Sequence, residues 1–120
     1  MIGLEELNET LESKISDVLS GLSERANDMA HEKGFYDGGK TLTTAIALQH
    51  SELSEVLEAL REGNLESTKI EGYSELEEEY ADVIIRILDT AGEHDLDIGG
   101  AVIAKMRKNS DRDHKHGKEF

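Results

Sequence analysis

The stretch that decides the fold is SELEEEYADVIIRILDTAG, Ser74 to Gly92. Ser74 followed three residues later by Glu77 fits a capping box, in which each side chain satisfies the other's backbone N–H at a helix start. Leu76, Tyr80, Val83, Ile84, Ile87, Leu88 and Ala91 then recur at helical spacing, over an arc too wide for one neighbour to cover. A helix of that kind is central and touches partners on more than one side. Gly92 is expected to end it.

Three more helices can be read outward from this one. Upstream, a helix from about Thr41 to Glu62 carries Leu42, Ile46, Leu53, Leu57 and Leu60 on one face, with Gly63 as its stop. Before it, Leu4, Leu7, Leu11, Ile15, Val18, Leu22, Ala26 and Met29 mark a long apolar stripe. Gly21 lies inside that stripe at a cost of about 1 kcal/mol relative to Ala, and is expected to bend or break the helix. Gly34 ends it, and Asp37-Gly38-Gly39 makes a loop. Downstream, a fourth helix starts after Asp97 with Ala101, Val102 and Met106, and the chain turns polar and basic beyond Asn109. With no convincing strand alternation and no internal repeat, the expectation is an all-α, four-helix bundle-like fold. At 120 residues it is a single domain over 1–120, with a basic tail at about 110–120.

Composition narrows the function. The net charge of −14 repels nucleic-acid backbones and anionic membranes, which argues against both as partners. A small phosphorylated substrate stays compatible with that surface if a divalent cation stands between carboxylates and phosphates. No Cys is present, so there is no disulfide framework and no thiolate metal site. No apolar run reaches the roughly 20 residues of a membrane span, and the first residues are acidic, unlike a secretion signal. A cytoplasmic protein is the expectation.

Two carboxylate pairs carry the chemistry: Glu52 with Glu55, and Glu79 with Asp82. Residues three apart project from one helix face, so two such pairs on facing helices present four oxygens to one space, as a hard cation requires. With 27 acidic residues the spacing alone is cheap, and Glu6/Glu9, Glu55/Glu58 and Glu75/Glu78 match it as well. Angular position distinguishes the first pair. At 100° per residue, Glu52 and Glu55 share a sector with Ala45, Leu48 and Ala59 at the edge of the apolar stripe, whereas Glu58 and Glu62 lie on the far side. Acids at a core edge are costly unless a cation compensates them. In the helix that begins at Ser74, Glu75, Glu79, Asp82, Arg86 and Asp89 form one polar stripe, which an exposed face with internal ion pairs explains equally well. There is no P-loop, nucleophile elbow or Glu-x-x-His, so any hydrolysis is metal-assisted attack by water.

Four segments in order resemble the MazG family of nucleotide pyrophosphohydrolases. Leu48 to Arg61, with Gln49-His50-Ser51-Glu52-Leu53-Ser54-Glu55, is similar to its first signature, and Glu78-Glu79-Tyr80-Ala81-Asp82 through Asp89 to its second. Lys33-Gly34-Phe35-Tyr36 resembles the end of the family's first helix, and Lys105-Met106-Arg107-Lys108-Asn109 with Arg112 and His116-Gly117-Lys118 resembles its tail. The resemblance implies Mg²⁺-dependent cleavage of (deoxy)nucleoside triphosphates to the monophosphate and pyrophosphate, with Mn²⁺ able to substitute. Glu52, Glu55, Glu79 and Asp82 would hold the metal, and the general base would be Glu52 or Glu55. Tyr36 stands where many relatives carry Trp, which leaves the base preference open. The alternatives are a related phosphoribosyl-ATP pyrophosphohydrolase and a catalytically silent helical interaction protein.

Other groups extend this reading. Eight of the last sixteen residues are Lys, Arg or His, a local reversal of sign in an acidic chain. They cap a helix dipole or clamp a triphosphate, and motif order favours the clamp for Lys105, Asn109 and Arg112. Phe35 and Tyr36 stack a base or close the core. His50 orients a ligand or is a surface histidine. The wide apolar arc and the long first stripe lead to the expectation of a homodimer or homotetramer.

Overall fold

The structure, a computed structural model, describes residues 3–111. Four helices follow one another: α1 (Leu4–Glu32), α2 (Leu42–Arg61), α3 (Glu75–Glu93) and α4 (Ile98–Ser110). The starts of the last three are written in side chains. The Thr41 hydroxyl accepts the Thr44 N–H at the start of α2, and Asp97 accepts the Gly100 N–H at the start of α4. Ser74 and Glu77 make the full capping box of α3, with hydrogen bonds of 3.2 and 3.0 Å.

Ends are set by left-handed residues. After α1, Gly34 at φ +81° lets its own N–H reach His31 and the Phe35 N–H reach Ala30. Gly63 and Asn64 repeat those two bonds after α2. At α3 the expected stop is displaced: the helix runs through Gly92 to Glu93, and Asp95 at φ 53° takes the left-handed position. Gly92 serves instead as a point of close approach, since a Cβ there would stand 2.9 Å from Asn27 Cβ and 3.0 Å from the Ser23 carbonyl of α1. Gly21 does not break α1, which is continuous over 29 residues with open space around that position.

α3 is central, packed against α1 on one side and α2 on the other, while α4 lies on α1. These principal pairings run α4–α1–α3–α2, with no substantial α2–α4 contact closing a ring among the described residues. The all-α expectation holds, and the arrangement is more open than a closed bundle. The buried apolar residues are mostly small: Ala30, Ala45, Ala59 and Ala91, with Val56 and Leu88. Large side chains stay wet, among them Val18 at 62%, Leu60 at 58% and Ile84 at 55% exposure. The chain exposes 9219 Å², against roughly 6,400 Å² for a folded monomer of this mass. The eleven residues outside the described part account for at most about 1,800 Å² of that excess. No helix among the described residues is long and apolar enough to cross a membrane.

The connector between α2 and α3 folds back on itself through an antiparallel bridge between Glu66 and Ser74. Its Ser67 is buried and accepts the Lys69 and Ile70 N–H groups at 3.1 Å each. The same hydroxyl donates to Glu78, which pins the connector to the first turn of α3.

Candidate metal centre

Because α2 and α3 pack face to face, Glu52 is brought to the Glu79–Asp82 pair. One carboxylate oxygen from each of Glu52, Glu79 and Asp82 lies within 4.8 Å of the others, and all three residues are half-buried. In an octahedral Mg²⁺ site, donors at about 2.1 Å from the ion stand about 3 Å apart when adjacent and about 4.2 Å when opposite. Rotamer adjustments of under an ångström or so therefore convert this trio into a facial donor set, and all-oxygen donors suit that ion. Glu55 is exposed one turn further along α2 and lies outside the trio.

The crowding is visible in the acidities. Burial, then the neighbouring Glu78 and Asp82 carboxylates, push Glu79 above its usual range. Burial, then Glu52 and Glu78, do the same to Asp82, with Lys69 and Arg86 pulling the other way. Glu78 was hidden in a run of three glutamates. It is buried, takes the Ser67 hydroxyl and lies 3.7 Å from Lys69 Nζ, so it belongs to the packing of the connector. Arg86 was visible only as one member of the polar stripe. It donates from Nε to Glu52 Oε1 at 2.7 Å, an ion pair across the α2–α3 interface. Its position four residues after Asp82 was the available signal.

Beside the trio lies a cleft of about 310 Å³, near the lower end of the range for small-molecule sites. Glu52, Asp82, Arg86 and Asp89 form its polar side, and Ala26, Met29, Ala30, Phe35 and Ile85 its apolar side. The two aromatic candidates separate here. Phe35 is 60% exposed at the cleft. Tyr36 is engaged elsewhere: its ring stacks on His31 at 4.4 Å, Lys40 Nζ sits 4.4 Å from the ring centre, and its hydroxyl donates to Asp89 Oδ1 at 2.8 Å. Burial, then the adjacent Asp89, raise the phenol well above its usual acidity range, so it stays a donor. Asp89 also accepts from Asn27 Nδ2 at 3.0 Å and faces Lys40 Nζ at 3.8 Å, which accounts for an acid only 6% exposed.

Among the described residues, the expected cationic clamp is not brought to the cleft. Lys105 and Asn109 are exposed on α4, which meets the first half of α1 through Gly99 on Ser16 and an Arg107–Glu12 ion pair. Glu12 and Ala26, the nearest α1 residue of the cleft, are fourteen residues apart, so about 21 Å separates that contact from the cleft. Arg112 lies outside the described residues. His50 lines a different, apolar groove on α2 and α3, with Leu53, Leu57, Leu60, Leu76 and Tyr80. No protein-family model matches this chain, and no curated protein or solved structure matches it either.

Proposed function

We propose that the chain is a Mg²⁺-dependent nucleoside-triphosphate pyrophosphohydrolase of the MazG-like kind. The observation that carries the reading is the convergence of Glu52, Glu79 and Asp82 from two helices beside a cleft with an exposed aromatic. The order of the four sequence motifs adds to it. Mg²⁺, when bound, supplies charge neutralisation for the phosphates and a lowered pKa for an attacking water. Glu52, Glu79 and Asp82 would hold it, with Glu55 the fourth carboxylate that the sequence motif implies. Water oxygen attacks the α-phosphorus, the bond from that atom to the α–β bridging oxygen breaks, and pyrophosphate leaves. The water's proton goes to Glu52 or Glu55. Phe35 stacks the base, and Tyr36 holds the loop that presents it.

The same reading makes the protein a homodimer or homotetramer. Even after the undescribed residues are discounted, about 1,000 Å² of surface exceeds the monomer expectation, close to what one partner loses in a standard interface. A second copy is also the way for Lys105, Asn109 and Arg112 to meet a triphosphate, since within one chain α4 stands at the other end of α1. The apolar groove of Leu53, Leu57, Leu60 and Tyr80 favours a second reading, a helical interaction protein without catalysis. Pyrophosphate release from a panel of nucleoside triphosphates and phosphoribosyl-ATP, with and without Mg²⁺, separates these readings. Turnover of a triphosphate only with Mg²⁺ supports the first, and no turnover of any nucleotide defeats it.

A further inference from the structure

Two cations face the carboxylates clustered at the trio and Glu78, and they are placed differently. Lys69 is 75% exposed and faces Glu78, which is already tied to Ser67. Arg86 is two-thirds covered and its Nε occupies an oxygen of Glu52, one of the three acids of the trio. Arg86 also lines the cleft beside Glu52 and Asp82. A guanidinium and a dication repel one another at these distances, so a dication on Glu52 weakens the Arg86 ion pair and favours its departure. Once displaced, a half-buried guanidinium needs another anion. The cleft it lines is where an anionic ligand bridged to the metal would sit, and a planar fork matches the oxygens of a phosphate.

We propose that Arg86 is a resident counter-ion of Glu52 that a divalent cation displaces, and that the released guanidinium then binds a phosphate group of the ligand in the cleft. This rests on the metal reading of the preceding subsection. It makes cation and phosphate binding interdependent, because each is tighter once the other has arrived. In the metal-free protein Arg86 also limits repulsion within the trio, which keeps α2 against α3.

The test is Mn²⁺ binding followed by electron paramagnetic resonance, with and without inorganic pyrophosphate, in wild type, Arg86→Gln and Arg86→Lys. Arg86→Gln should bind Mn²⁺ alone roughly three- to tenfold more tightly, since a competitor has gone. The tightening of pyrophosphate binding by Mn²⁺, at least about fivefold in wild type, should shrink in Arg86→Gln to the part carried by the metal–phosphate contact and return in part in Arg86→Lys. A second readout does not depend on any variant remaining folded. In the wild type, with five arginines, the Arg86 Nε–H signal in NMR should shift on adding Mg²⁺ and shift again with pyrophosphate. Wild type that binds Mn²⁺ while Arg86→Gln binds it no more tightly overturns the counter-ion role alone, as does an Nε–H signal indifferent to Mg²⁺. Wild type that binds no Mn²⁺ overturns the metal reading and this inference with it.

Discussion

Along α1, the turns from Ser23 to Glu32 and the turns from Leu11 to Leu22 meet their neighbours in different ways. In the later half, Ser23 donates to the Leu88 carbonyl at 2.6 Å, Asn27 to Asp89 and Glu93, and His31 pairs with Glu93 at 2.5 Å. Small residues, Ala30 and Ala91 with Gly92, let the two backbones come close enough for these bonds. In the earlier half Leu11, Ile15, Val18 and Leu22 are between 40% and 62% exposed, and α4 is the neighbour. Directional polar contacts therefore define the α1–α3 crossing beside the candidate site. The apolar stripe, which would ordinarily build a core, stays exposed along this half.

The largest effect expected is at the trio itself. Glu52→Gln and Asp82→Asn should each lower pyrophosphate release by at least about a hundredfold, because loss of one ligand in a three-acid set removes charge and geometry together. Far-UV circular dichroism should be unchanged. Full activity in either variant would remove these residues from the site. Glu55→Gln sharpens the result: an equal loss would bring this exposed residue into the donor set or the base role, and near wild-type turnover would place it outside both.

Assembly comes next, and it acts on the other half of α1. Sedimentation equilibrium at tens of micromolar should give a dimer or tetramer, and Val18→Glu should drive it toward the 13.3 kDa monomer without loss of helix. A wild-type monomer would refute the assignment of the stripe to a second copy. It would also leave Lys105 and Asn109 without a route to the cleft.

What the sequence made legible follows from the range of each interaction. Helix starts depend on residues within one turn, and Ser74–Glu77 was readable as a pair. So was the central position of α3, because the width of an apolar arc is a property of one segment. Glycine was misread twice, since whether Gly21 or Gly92 breaks a helix depends on what stands opposite it. The acids of the trio were legible through spacing, but Glu52 could be told from Glu55 only once α3 was in place. Arg86, Asp89 and Lys40 owe their roles to partners 34 to 62 residues away or to a loop, and no local pattern carries that. Lys105 and Asn109 were matched by order along the chain, which does not record distance in space.

Those two glycines give a paired measurement with opposite signs. Gly92→Ala should destabilise by about 1–3 kcal/mol, because its Cβ meets Asn27 and the Ser23 backbone at the crossing. Gly21→Ala should stabilise by about 0.5–1 kcal/mol, as its site is open and the substitution restricts the unfolded chain. Urea denaturation of the two variants measures both. Equal and positive effects would mean that the α1–α3 approach is looser than the contact distances imply.

The smallest effect is a pH dependence of stability, and it distinguishes the trio from the polar clasp on α1. Glu79 and Asp82 have folded-state pKa values above their ordinary 4.5 and 3.8, so the folded protein holds protons the unfolded chain has released. Their contribution is most favourable below those ordinary values and falls as pH rises through the raised ones. Glu93 runs the other way. Hydrogen bonds from His31 and Asn27 lower its pKa, so its contribution is present above 4.5 and lost as pH falls through the lowered value. The net charge of −14 also disfavours compactness as pH rises, so the total trend is not diagnostic. The difference between wild type and Glu79→Gln is. In metal-free buffer the wild-type Tm should fall more steeply than that of Glu79→Gln as pH rises above the ordinary 4.5 of Glu79 and through its raised value. Saturating Mg²⁺ should flatten the wild-type slope, because the cation competes with protons for the same oxygens. Parallel slopes with and without Mg²⁺ would mean that these carboxylates are raised by burial and by one another, but do not meet a cation.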